Sequence, residues 1–188
     1  MNKTRLGLIS FGLIALISIT CLLSFNQSKL TGTTIELYDI HVTVILKRFD
    51  EEPFVIKDGV FLDNAGVVTT IGKNWVEDQL GDSPSTDPAE WISVSSSSDA
   101  PSSAWTEIPD EISSGGLFRG AGTYASTGDG TWTIEYEFTA SATHIDVQLT
   151  GLQYGSSGDN NLLVSDTFAV VTLNDLDTLT VTWTITLS

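Results

Sequence analysis

The chain has 188 residues, of which 41% are hydrophobic, enough to build the core of one domain with an N-terminal appendage. It carries 8 Lys+Arg against 24 Asp+Glu, a formal net charge of −16, and such a surface is repelled by nucleic-acid phosphates, which argues against a DNA or RNA partner. Cys21 is the single cysteine, so neither an intrachain disulfide nor a cysteine-based metal site can form.

Leu6 to Phe25 is an uncharged apolar run, and Lys3 and Arg5 precede it. Residues 1–25 therefore read as either a cleaved secretory signal or a retained membrane anchor. The positive flank places the N-terminus inside and the remainder outside. Contact with a membrane would be confined to residues 6–25, and only if they are retained. Ile19-Thr20-Cys21 is a poor lipidation site, and Asn26-Gln27-Ser28 is a glycosylation sequon at Asn26. The expected location is secreted or at the cell surface. The chain after this run carries 6 basic and 24 acidic residues, a net −18.

Residues 26–38 read as an N-terminal extension and residues 39–188 as a β-domain. Ile35 and Leu37 alternate with Thr34 and Glu36; the phase slips at Tyr38-Asp39, and Ile40, Val42, Val44 and Leu46 take over. A slip of one residue turns every following side chain to the other face. Either one long strand carries a bulge near Asp39, or two strands have different destinations.

Phe54 to Leu62 predicts a strand or hairpin with Asp58-Gly59 as a turn signal. The period changes from Gly72, and Val76 and Leu80, four apart and followed by Gly81, predict one short helix. Glu90 to Val94 is a short strand, and Ser95 to Ser103 an exposed polar loop. Leu117 to Tyr124 is a strand interrupted by glycines. Gly128-Asp129-Gly130 is a hairpin turn before the alternating strand Trp132, Ile134, Tyr136, Phe138. Ile145, Val147 and Leu149 alternate in another strand. Gly155 to Asn161 is a loop, and Leu162 to Val171 gives one or two strands. After Asn174 to Asp177 turn the chain, Leu179, Val181, Trp183, Ile185 and Leu187 alternate strictly with Thr and Ser. Strands every ten or so residues with turns between them predict an all-β fold. The expectation is a jelly-roll-like antiparallel β-sandwich with one short helix, preceded by an N-terminal hydrophobic helix and an extra strand.

No reaction centre emerges, and the chain is expected not to be an enzyme. His41 and His144 sit within strand patterns, and no G-x-S-x-G sequence is present. Glu135 and Glu137 lie on the polar face of a strand. No cofactor is expected beyond Ca²⁺, for which Asp129, Asp159, Asn160, Asp175 and Asp177 offer turn oxygens. The plainer reading is that these are turn residues.

An exported β-domain with an extra strand ahead of it has a further option. A sandwich lacking one strand leaves an apolar groove and an open edge, which a neighbour's extended segment can fill. Leu30, Ile35 and Leu37 would be the inserted side chains. Repeated head to tail between copies of the chain, this contact does not close and yields a filament. The alternative is that the segment pairs within its own sheet.

The order of export segment, free N-terminal strand, acidic Ser/Thr-rich β-domain and terminal Thr-alternating strand resembles archaeal extracellular filament subunits. These are the donor-strand pilins of bundling pili and threads, distantly like TasA-type fibres. Locally, Trp75 to Asp82, Trp91 to Val94, Glu111-Ile112, Gly116 to Arg119 and Leu179 to Leu187 resemble small β-domains of phage virion proteins. Both resemblances imply a non-enzymatic repeating subunit. A second expectation is a membrane-tethered extracellular binding module, for carbohydrate or a surface, presenting Trp91, Trp105 or Tyr154 on loops.

Overall fold

The strictly alternating C-terminal stretch becomes the central strand of a sheet. The computed structural model describes residues 38–60, 67–81 and 87–187. Its strands are β1 (Tyr38–Lys47), β2 (Phe54–Val60), β3 (Val67–Val68), β4 (Trp91–Ser95), β5 (Gly120–Ala121), β6 (Thr123–Gly128), β7 (Thr131–Thr139), β8 (His144–Gln153), β9 (Leu162–Leu173) and β10 (Thr178–Leu187). Among the described residues one helix, α1 (Thr70–Leu80), lies between β3 and β4. The strands form two five-stranded sheets, ordered β2-β1-β10-β7-β6 and β3-β9-β8-β4-β5, with every pairing antiparallel. This is an all-β sandwich. The pairs β1–β10 and β3–β9 nest, one in each sheet, as the outer pairs of a jelly roll do, while the hairpins β6–β7 and β8–β9 each stay within one sheet.

The period-2 pattern explains the first sheet. Ile40, Val42, Val44 and Leu46 of β1 lie opposite Ile185, Trp183, Val181 and Leu179 of β10. Those in turn face Trp132, Ile134, Tyr136 and Phe138 of β7. Directly opposed residues of antiparallel strands point to the same face, so one apolar set forms across three strands. Phe138 and Trp183 are completely buried, and burial of each such side chain contributes about 1.5–3 kcal/mol. The other face is a polar lattice in which Thr182 donates to Glu135 (2.8 Å) and Thr180 to Glu137 (3.3 Å).

The second sheet is covered on both faces. Leu152, Leu163 and Val164 join the main core. Ile108, Leu149 and Leu162 are buried outside that cluster. Gly151 makes room for two of them, since a Cβ there would meet Leu162 at 2.9 Å and Ile108 at 3.4 Å. The segment from Ser96 to Arg119 is a strap against this sheet; of the loop expected over Ser95 to Ser103, Ser96, Ser98, Asp99, Ala100 and Ser103 are exposed as its polar composition predicts. Ile112 N donates to Val94 O (2.9 Å), and Ser95 and Ser97 are buried. Serines satisfied by backbone groups can be buried without loss.

Helix α1 starts two residues before the change of period at Gly72. Thr69 caps it, accepting from Gly72 N (2.9 Å) while its own N–H donates to Leu163 O (3.0 Å). Gly81 N donates to Glu77 O (2.7 Å) and closes the last turn, in accord with its expected stop role. Trp75 and Val76 pack against the core.

Three local expectations are corrected. Asp58-Gly59 is no turn: β2 runs straight through it, with Asp58 opposite Thr43 and Gly59 opposite Val42. The strand expected over Leu117 to Tyr124 is two pieces, because at Gly122 the chain passes from one sheet to the other. In β8 the alternation is interrupted, with Asp146 at φ 58 and shifted register on either side of Val147. From Tyr38, the first described residue, β1 pairs with β10 without a break from Tyr38–Leu187 to Lys47–Thr178. Of the two readings of the phase slip, a bulge at Asp39 does not occur on this ladder, and the residues before Tyr38 lie outside those described. The hydrophobic segment 6–25, Asn26, and Leu30, Ile35 and Leu37 lie outside the described residues.

Candidate functional site

At one end of the sandwich the core is open. An apolar groove of about 530 Å³ lies between the first sheet and α1. Ile40 of β1, Ile185 and Leu187 of β10, Trp132 and Ile134 of β7, and Tyr124 of β6 form one wall. Trp75, Val76 and Leu80 of α1 form the opposite wall, and Val68, Leu152 and Leu163 line it from the second sheet. Pro88 and Ala89, just before β4, complete it.

Residues on the apolar faces stay exposed at the opening. Tyr124 lies opposite Ile134, so it is on the inward face, yet it is 62% exposed. Leu187 and Leu80 are 48% and 67% exposed. The edge strands of the second sheet, β3 and β5, have two residues each, against seven and six in β2 and β6 of the first. The indole N–H of Trp75 is buried without an acceptor among the described residues. Its ring stacks on Tyr154 with centroids 5.7 Å apart. Burial, and then the charge of Asp78, push the Tyr154 phenol above its ordinary pKa. Its hydroxyl donates to Asn160 O (2.6 Å).

The groove sits where the chain enters the sheet. Tyr38, the first residue of β1, pairs with Leu187, which lines the groove.

Ion pairs lie away from the groove walls. Lys57 is opposite Val44 and so turns inward, reaching Asp166 of β9 at 3.2 Å. Burial raises the Asp166 carboxyl above the usual carboxylate range, against the opposing pull of Lys57, the Thr167 N–H and His41. His41 pairs with Asp58 on the outer face at 2.9 Å. Arg119 forks onto Glu111 (2.9 and 2.5 Å) and donates to Gly155 O (2.9 Å), tying the strap to the β8–β9 loop.

The five residues expected as Ca²⁺ ligands come from three turns. Asp129 is exposed in the β6–β7 turn, beside Gly130, whose carbonyl accepts from Leu187 N (3.0 Å). Asp159 and Asn160 are exposed in the β8–β9 loop, Asn160 at φ 60. Asp175 is exposed in the β9–β10 turn, at the other end of β10 from Asp129, about 30 Å away along the strand. Asp177 is buried, and its oxygens accept from Arg48 (2.6 Å), Phe49 N (3.0 Å) and Asn174 N (2.9 Å). It ties the end of β1 to the start of β10. Among the described residues no group of three or more His, Cys, Asp or Glu gathers as metal ligands do. His144 contacts Gly115 O at 3.0 Å.

The groove was legible only in part. The alternations of β1, β7 and β10 predict its apolar walls, but nothing local marks which ends stay uncovered. No protein family, curated protein or solved structure matches the chain.

Proposed function

We propose that the chain is a non-enzymatic structural subunit of an extracellular filament, polymerising head to tail as each copy accepts an N-terminal strand from its neighbour. The observation that carries this reading is the open apolar groove beside the point where residues 26–37 join β1. A sandwich whose inward-facing Tyr124, Leu187 and Leu80 stay this exposed gains stability from an occupant that covers them. An extended segment with alternating apolar residues, as at Ile35 and Leu37, matches a groove walled on one side by a sheet. The export segment and acidic body accord with a cell-surface location.

The test is deletion of residues 26–37 from the full-length chain. The expected product is a folded β-rich subunit that forms no filaments by negative-stain electron microscopy. A synthetic peptide of those residues should raise its melting temperature, and the rise should grow with the logarithm of peptide concentration above the dissociation constant. Filaments of normal length from the deletion would refute the reading.

A second reading has one observation in its favour: a groove of about 530 Å³ is also of a size to hold an apolar small molecule. The carbohydrate-binding version has less support. Tyr154 commits one ring face to Trp75 and its hydroxyl to Asn160, and Trp91 and Trp105 are half-buried.

A further inference from the structure

An unpaired sheet edge recruits another chain unless brevity, charge, proline or a bulge guards it. The two sheets have four edge strands among the described residues: β2 and β6, and β3 and β5. β3 and β5 are two residues each. β2 is guarded twice, by Lys57 turned inward onto Asp166 and by a register shift in its ladder between Val44 and Ile45. β6 has no such guard. Its sequence, Thr-Tyr-Ala-Ser-Thr-Gly, holds no charge and no proline, and all six residues are exposed. Its one irregularity lies at the hairpin end, between Ser126 and Gly128. Tyr124 of this strand also lines the groove.

We infer that β6 is the receiving edge, and that its occupant is residues 30–37 of a second copy, paired along β6 with Ile35 and Leu37 turned into the groove. This rests on the assembly reading above and adds to it which edge is used. Chain length decides between self and neighbour. Ile35 is three residues from Tyr38 and can lie at most about 11 Å from it. β6 is three strands away from β1, about 14 Å. A subunit's own Ile35 and Leu37 fall short of β6; those of a second copy do not. The segment suits the site, since residues 30–37 contain one charge, Glu36, between the two inward positions. Its backbone carbonyls also offer acceptors to a wall that holds the unmatched Trp75 indole.

The test uses the full-length chain carrying Cys21→Ser and Ile35→Cys. Tyr124→Cys or Ser126→Cys is added on β6, or Val55→Cys or Lys57→Cys on β2. Assembled material is oxidised and separated without reductant. Covalent ladders from the β6 pairs are expected. Ladders from the β2 pairs alone would overturn the choice of edge and leave the assembly reading standing. A parent chain that never assembles would overturn that reading and this inference together. Tyr124→Lys gives a second measurement. Its side chain is already mostly exposed, so the melting temperature should hold while filament yield falls at least ~10-fold, because docking would bury an unpaired charge. Undiminished yield would exclude β6.

Discussion

Asp177 concentrates more of the fold's polar bonding than any turn residue needs for turning alone. Burial by itself would raise its carboxyl, but the N–H groups of Asn174 and Phe49 and the Arg48 guanidinium outweigh that and hold it below the usual carboxylate range. A carboxyl lowered in the folded state adds stability that is present above its unfolded value and lost as pH falls through its folded value. Asp177→Asn should therefore cost about 3 kcal/mol at neutral pH. It should also flatten the acid side of a plot of melting temperature against pH, followed by circular dichroism. An unchanged acid side would assign that dependence to other carboxylates. Asp166 works in the opposite sense. Its carboxyl is raised, so stability falls as pH rises through its folded value, and protonation relieves the cost of its burial.

Helix α1 is held to the sandwich by contact rather than by its own propensity. At eleven residues it is at the length where an isolated helix is marginal in water. Gly72 permits the approach: a Cβ there would lie 2.2 Å from Leu163 O of β9. Gly72→Ala replaces glycine by a residue that favours helix by about 1 kcal/mol. The clash should nevertheless win and lower stability by about 1–3 kcal/mol, read as a shift of the urea midpoint. It should also open the groove, since Trp75, Val76 and Leu80 ride on the same helix. A higher midpoint would mean that the helix does not dock through Gly72. The contrast with β10 is instructive. That strand is paired on both sides along its length, and its apolar face is buried except at Leu187.

At the scale of the whole molecule, the charge is the dominant long-range force. A net −16 on one chain repels itself, and salt screens that repulsion. Raising ionic strength from about 0.01 M to about 0.15 M shortens the screening length from about 30 Å to about 8 Å. The melting temperature should rise with it, and a fall would show that attractive pairs such as Lys57–Asp166 and Arg48–Asp177 dominate instead. Ca²⁺ compared at matched ionic strength separates screening from binding. A shift no larger than that from NaCl means that Asp129, Asp159, Asn160 and Asp175 act as turn residues.

The sequence by itself determined what depends on near neighbours along the chain. Strict alternation specified β1, β7 and β10 and the faces they bury, because a period of two allows one side of a strand to leave water. Asp129-Gly130 and Asn174 to Asp177 were legible as turns, since glycine and short polar side chains tolerate the backbone such reversals need. Asp58-Gly59 carried the same local signal and yet became strand, because pairing along β1 outweighs a dipeptide preference. Only the tertiary structure decided the rest. That Asp177 would be a buried clamp, that Ser96 to Arg119 would cover the second sheet, and that β6 would be left unguarded beside a groove all depend on contacts between residues far apart in sequence. Such contacts arise from how two sheets and the segments between their strands are laid against one another, and alternation within a single strand carries no record of what covers its apolar face.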